Sequence, residues 1–394
     1  MSKFISLYLE YTKDYESPTS FWKWSAYAAI SACLRDNCYR VAGNSRVYPS
    51  IYVLLKAESG THRKGRPVET CTDLVVAMGN TKTISGRASI QAIIEELSHT
   101  ETDPRTGKMI KGGSAIFFAP ELSAGIVDDP AALSILTDIY DCRPDYKTLL
   151  KSGRSKISNL VFSMLAASNE ALLKDTYNDK AVQGGLLART FMVIPNEFRP
   201  SNSLLDQKVN DIKDFSDLKD ELRKITELKG EYEITQDAKD EYNSWYKPFR
   251  ESYKNKVDKA GVVSRIHTGI LKIAMIFASS DLSLVVKKIH VEEAINECLG
   301  LIPNYGAFIM GNGKGKLSEA GAIVLNDLLQ APNYALGRKE ILRKHWSDFD
   351  ATLFDELIAT FEQGGLVQTI AAGNSISYKM TQTCLEIMVL PGAK

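Results

Sequence analysis

The sequence lacks the marks of several protein classes. Net charge is absent, with 48 basic and 48 acidic residues. No global field therefore holds a polyanion, and a nucleic-acid contact has to come from local basic patches. No uninterrupted apolar run reaches the ~18 residues of a membrane-spanning helix, which sets an expectation of no membrane partner. The stretch MSKFISLYLEYTKDYE is too charged for a signal peptide. The cysteines (Cys33, Cys38, Cys71, Cys142, Cys298 and Cys384) include no C-x-x-C pair, as expected of buried reduced thiols in a cytoplasmic protein. His62, His99, His267, His290 and His345 are scattered, without the spacing of a zinc site. There is no internal repeat and no low-complexity run.

What is present is the composition of an ordinary globular chain long enough, at 394 residues, for two or three domains. Residues 1–45 read as a helical segment. Ser17-Pro18-Thr19-Ser20 starts a helix that is apolar nearly all round, with Trp22 and Trp24 as packing residues. Over 46–200, short apolar strands (Ile51–Leu55, Ala115–Phe118, Leu160–Ala167, Thr190–Ile194) alternate with helical stretches. That alternation implies an α/β fold with a mainly parallel sheet covered on both faces. Residues 201–310 are densely charged and helical in period. Gly311-Asn-Gly-Lys-Gly-Lys316 reads as a hinge. Residues 317–394 read as three helices and a hairpin, the pattern of a winged helix-turn-helix.

The chemistry starts at Tyr52-Val-Leu-Leu-Lys-Ala-Glu-Ser-Gly-Thr-His-Arg-Lys-Gly65, a strand running into a turn. A phosphate-binding loop reads G-x-x-x-x-G-K-[ST]: backbone N–H groups curl round phosphates, Lys neutralises them and Ser/Thr holds Mg²⁺. With Lys64 as that lysine, Glu58 and Arg63 stand at the two glycine positions and Gly65 at the metal ligand. A solvated loop lysine fits the same pattern. Ser59, Gly60, Thr61, Lys64 and Gly65 are the candidate phosphate contacts. Further along, Glu121 follows the strand Ala115–Phe118, where a carboxylate can orient an attacking water. Pro120 stands where a Mg²⁺-binding Asp is wanted. Asn169 follows the strand Leu160–Ala167. Arg189 precedes the strand Thr190–Ile194, and Arg265 heads an apolar helix.

The order of these features resembles the additional-strand P-loop ATPases of the AAA+ type, above all the primase-associated helicase-like ATPases of phages, plasmids and other mobile elements. The resemblance rests on Phe21-Trp22-Lys-Trp24-Ser-Ala, Tyr48-Pro49-Ser-Ile-Tyr52-Val, Ser59-Gly60-Thr-His-Arg63-Lys64-Gly65, Pro120-Glu121-Leu122-Ser123, Gly184-Gly185-Leu-Leu-Ala-Arg189 and Arg265-Ile-His-Thr-Gly-Ile-Leu-Lys-Ile-Ala274. It covers about residues 18–305 and implies a P-loop NTPase sheet core over 46–200, a helical lid over 201–310 and a winged-helix domain over 317–394. It further implies that Lys64 contacts the β- and γ-phosphates of ATP, that Glu121 positions water and that Asn169 senses the γ-phosphate. Arg189 would act in trans as an arginine finger, and Arg265 as a second sensor. The implied assembly is a homo-oligomeric ring, usually a hexamer, working on single-stranded or forked DNA with a primase or replication initiator, in the host cytoplasm if phage-encoded. Both usual protein ligands to Mg²⁺ are missing. Either the metal is held through waters with Thr61 and Ser59, or hydrolysis has been lost.

Two basic segments are candidate nucleic-acid contacts. Arg143-Pro-Asp-Tyr146-Lys147-Thr-Leu-Leu-Lys151-Ser-Gly153-Arg154-Ser-Lys156 reads as a pore hairpin. Lys147, Lys151, Arg154 and Lys156 would grip phosphates there while Tyr146 stacks on a base. Arg105-Thr-Gly107-Lys108-Met-Ile-Lys111 is a second basic loop. In the C-terminal module, Arg338, Lys339, Arg343 and Lys344 precede a helix over Asp350–Gln363 that carries four acidic residues and no basic one. That helix is electrostatically wrong for reading a major groove. The expected function is an ATP-dependent DNA helicase or translocase, with a non-hydrolysing DNA-binding assembly protein of the same fold as the alternative.

Overall fold

The computed structural model of the chain describes residues 3–86, 88–99, 101–102, 109–110, 113–122, 130–150, 153–169, 173, 185–195, 197–199, 215–253, 261–305, 316–372 and 375–388. Two compact units divide it, Met1–Cys298 and Leu299–Lys394.

The first unit is built on a five-stranded sheet. Its strands, labelled in chain order, are β1 (Tyr52–Lys56), β2 (Lys82–Ser85), β3 (Ser114–Ala119), β4 (Val161–Ser168) and β5 (Thr190–Val193). They lie in the order β5-β1-β4-β3-β2, and every pairing is parallel. Every residue of β1, β3, β4 and β5 is buried, as both-face coverage requires of apolar runs without alternation. The two faces can be told apart from register. Met164 pairs with Tyr52, so Tyr52 shares its face and Ser163 points the other way. Ser163 Oγ lies 2.8 Å from Ser31 Oγ on the helix Thr19–Leu34. The Tyr52 hydroxyl donates to Leu136 O, 3.0 Å away, on the helix Pro130–Tyr140. One helix therefore covers each side.

Thr19–Leu34 is the central helix of this unit, with thirteen of its sixteen residues buried. Trp22 and Trp24 are packing residues: both rings are buried, and the Trp22 indole N–H donates to Ser17 O at 3.0 Å. The helical reading of residues 1–45 ends too late, because Cys38–Ala42 and Ser45–Val47 form an antiparallel hairpin. Tyr39 and Val41 there are β formers, joined by the turn at Gly43, which has φ +59°. The helices Ser216–Thr226, Gln236–Tyr253, Val262–Ser280 and Lys288–Leu299 complete the unit. Val262–Ser280 is long and apolar enough to cross a membrane by length and composition, yet most of it is buried in this unit, as suits a core helix.

In the second unit, helices Lys316–Gln330, Arg338–Lys344 and Ala351–Gln363 accompany an antiparallel sheet. Its strand order is Ala335–Gly337, Ser375–Met380, Val367–Ala372. Ile341, Phe354, Leu357 and Tyr378 are in its core.

Candidate nucleotide-binding cleft

In a parallel sheet all strand ends of one polarity share an edge, so the segments after β1, β3 and β4 meet at the carboxyl edge. Two short links tie them there, and a third bond turns the chain after β4 back on itself. Ala57 N–H donates to Ser168 O at 3.3 Å, Leu122 N–H to Ala167 O at 2.8 Å, and Leu173 N–H to Asn169 O at 3.2 Å. The chain leaving β1 turns at Gly60, with φ +79°, and enters the helix Gly65–Met78 at Lys64. Pro67 in the first turn of that helix has no N–H to leave unpaired.

A cleft of about 570 Å³ opens at this edge. Ser59, Gly60, Arg63, Lys64 and Gly65 form one wall, and Pro120 and Glu121 after β3 face them. The structure thus brings Ser59, Gly60, Lys64 and Gly65 together with the carboxylate named from sequence, while Thr61 is not among the lining residues. Arg66, Glu69 and the segment Asp14–Glu16 complete the lining. These last residues were not legible as site residues. Asp14–Glu16 lies more than forty positions before the loop, and only the tertiary fold delivers it.

Arg63 stands where the phosphate-loop pattern expects its second glycine. Its φ is +44°, a left-handed value that is uncommon outside glycine and is held only when the surroundings over-determine it. The Ser17 hydroxyl donates to Arg63 O at 3.1 Å, and the Arg63 guanidinium is ion-paired with Glu16. Arg66 lies 3.6 Å from Glu69 and over the Tyr15 ring, 5.4 Å from its centroid. Lys64 is the exception. Among the described residues its ammonium has no carboxylate partner, and neither Lys64 nor Glu121 makes a side-chain hydrogen bond. A cation without a counter-ion stands at a helix N-terminus, where the backbone already favours anions.

The donor set fits a phosphate better than it fits a protein-ligated Mg²⁺. Among the described residues, no group of three or more His, Cys, Asp or Glu is placed to hold a metal. Position 65 has no hydroxyl, and the Thr61 hydroxyl donates to Glu58 O at 3.1 Å within its own turn. Space is not the obstacle, since a Cβ built on Gly65 would lie 3.8 Å from Pro120 and 3.9 Å from Glu69 Oε1, ordinary contacts.

Asn169, Arg189 and Arg265 are not among the described residues that line the cleft. Asn169 follows β4, between the ends of β1 and β3, and has partners of its own. Arg189 precedes β5 and so lies at the opposite edge of the sheet. It is buried, with Nη2 3.2 Å from Asp141 Oδ2, Nε 3.4 Å from Asp141 Oδ1, and Nη1 3.1 Å from Gly185 O. Its charge is answered within its own chain. Arg265 is exposed in the first turn of Val262–Ser280. Near Arg189, the buried Lys272 ammonium sits 3.6 Å from the Tyr140 ring centroid, a partner pair that nothing in the sequence signals.

The basic hairpin of the sequence reading is present as strands Asp145–Leu150 and Gly153–Ser158. Lys147 is registered opposite Lys156, and Tyr146 opposite Ile157. Directly opposed residues share a face. Ile157 is buried, so Tyr146 belongs to the packed face and the two exposed lysines to the other. A stacking role for Tyr146 therefore requires it to leave that face. Lys151 lies outside the described residues, as do the side chain of Arg154 and most of the loop from Arg105 to Lys111.

Comparison with protein-family models finds no match for this chain, and comparison with curated protein sequences finds none either.

Proposed function

We propose that this chain is a P-loop-type nucleotide-binding protein, an ATP-dependent DNA translocase or helicase that works as a homo-oligomeric ring. One observation carries the reading: Lys64, without a carboxylate partner among the described residues, and Glu121 line one cleft at the carboxyl edge of a parallel sheet. The strand order supports it, because β4 is inserted between β1, which leads to the lysine, and β3, which leads to the glutamate. That insertion is what the additional-strand resemblance implies. In this reading the Lys64 ammonium and the N–H groups at the start of Gly65–Met78 neutralise the β- and γ-phosphates. The Glu121 carboxylate accepts a proton from, and aims, the attacking water. Asn169 follows β4 at the same edge of the sheet. Arg189 reaches a neighbour's nucleotide only if its pairing with Asp141 opens.

A second reading has its own support. Gly65 and Pro120 remove the two usual protein ligands to Mg²⁺, which favours a chain that binds nucleotide and DNA without turnover. The C-terminal unit fits a winged-helix module in either case.

DNA-stimulated phosphate release separates the two. Purified protein is assayed with ATP, Mg²⁺ and single-stranded DNA beside Lys64→Ala and Glu121→Gln. The motor reading expects turnover that single-stranded DNA raises and that both substitutions abolish. Absence of turnover with nucleotide binding retained selects the second reading. Turnover unchanged in Lys64→Ala refutes both.

A further inference from the structure

The compact unit Leu299–Lys394 carries an aromatic ring that its own core does not use. Trp346 is 79% exposed, whereas Phe349, Phe354 and Tyr378 of the same unit are buried. Aromatic surface gains by leaving water, so an exposed indole offers a ring for a contact outside the core.

The charges around it are sorted. The helix Arg338–Lys344 carries four basic residues and one acidic residue. Arg338 is tied to Asp355, with Nη2 3.0 Å from Oδ2, and Lys344 Nζ lies 2.8 Å from Asp327 Oδ1. Asp327 and Asp348 also share His345, at 2.8 and 2.9 Å. Asp350 accepts from Leu353 N–H at 2.9 Å as a helix cap. The nearby aspartates are thus committed to partners in their own unit. Lys339 and Arg343 are left over: one helical turn apart, exposed, and without a carboxylate partner among the described residues. Trp346 follows three positions after Arg343, just past the C-cap His345. Within three positions its chain neighbours are Arg343, Lys344, His345, Ser347, Asp348 and Phe349, and the one apolar residue among them, Phe349, is buried in the core. An exposed indole three positions from that arginine, with the neighbouring apolar ring turned into the core, fits a stacked base beside a phosphate better than a hydrophobic protein groove.

We propose that Lys339, Arg343 and Trp346 form a binding surface for single-stranded nucleic acid, with the two cations on backbone phosphates and the indole stacked on an unpaired base. The acidic helix Ala351–Gln363 has no part in it. The inference rests on this unit alone and not on the cleft of the other unit. It places a nucleic-acid contact outside the hairpin Asp145–Ser158.

The test uses the full chain and fluorescently labelled oligonucleotides of about 20 nucleotides, as single-stranded DNA, single-stranded RNA and duplex DNA, read by anisotropy across a salt series. Trp346→Ala is expected to weaken single-strand binding by about tenfold and Trp346→Phe by much less, since stacking needs a ring and not the indole N–H. Arg343→Gln is expected to reduce the magnitude of the salt slope by about 0.7 for single strands. The DNA and RNA arms show which strand is preferred, and a loss in either supports the proposal. Circular dichroism checks that each variant is folded, which the exposure of these side chains favours. Single-strand binding by Trp346→Ala within about twofold of the parent overturns the proposal, whatever the rest of the chain contributes. An equal loss on duplex overturns it too, as does the absence of any single-strand binding by the parent at low salt.

Discussion

Arg189 and Lys64 are cations of opposite standing. The first is buried and held by Asp141 and Gly185 O; the second has no counter-ion among the described residues. Removing a buried, hydrogen-bonded charge leaves its partners unsatisfied, so Arg189→Ala is expected to lower folding stability by about 1–3 kcal/mol in urea unfolding. Lys64→Ala is expected to leave the urea midpoint unchanged. Equal stability of Arg189→Ala and the parent would show that Asp141 is not an essential partner. His267 gives a pH dependence. Burial holds its imidazole below the ordinary value, and the Arg250 and Arg265 charges push the same way. The unfolded chain then binds the proton more readily than the folded one. Stability is full above the ordinary histidine pKa of about 6.5 and is lost as pH falls through that value toward the lowered folded one. His267→Gln should shrink the drop in urea midpoint between about pH 7.5 and pH 5.5. An undiminished drop would assign the effect to other groups. At position 65 a side chain has room, so Gly65→Ser is expected to fold normally and to make nucleotide affinity more dependent on Mg²⁺, measured by titration with and without the metal.

Elements show where sequence reasoning reaches and where it stops. The helix Val262–Ser280 lies against β5 so closely that a Cβ on Gly269 would come within 2.9 Å of Phe191 Cζ. Phe191 cannot easily yield, because its ring packs on Trp24 at 4.7 Å. Helix propensity alone would favour Gly269→Ala by about 1 kcal/mol. Overpacking costs about 1–3 kcal/mol, so the substitution is expected to lower the thermal midpoint, and a raised midpoint would contradict this packing. Gly269 was legible only as a helix residue. The strands that were legible, β1, β3, β4 and β5, are apolar runs bounded by turn residues; Ser89, of a type favoured at helix starts, caps Ile90–Ser98 by accepting from Ala92 N–H. β2 (Lys82–Ser85) was missed because it is short and half polar. Its Lys82 is buried with its ammonium paired to Glu96 Oε2 at 3.0 Å and donating to Glu96 O at 2.6 Å and His99 O at 3.1 Å, at a helix end where a cation is favoured. In the cleft, the loop and Glu121 were legible from strand-end chemistry, whereas Tyr15 and Glu69 carry no local signal. The enclosure of Arg189 was hidden for the same reason, since Asp141 is forty-eight residues away.

The whole molecule has two units with separate cores and six cysteines, all buried and free. Burial pushes Cys33 up to about 12 and Cys38 and Cys384 up to about 11, so little thiolate exists near neutral pH. The native chain is expected to resist thiol reagents, with all six groups reacting once urea unfolds it; a fast-reacting group in the folded protein would contradict this packing. If the ring reading holds, mass photometry should show assembly when an ATP analogue and single-stranded DNA are both present, and a persistent monomer would refute it. The central claim, however, belongs to one cleft. Titration of a non-hydrolysable ATP analogue into the parent chain and into Lys64→Ala, with the folding of both verified, tests it most directly. Saturable binding by the parent, weakened at least about tenfold in the variant, is the predicted result. Equal affinity in both, or no binding to the parent, would contradict it.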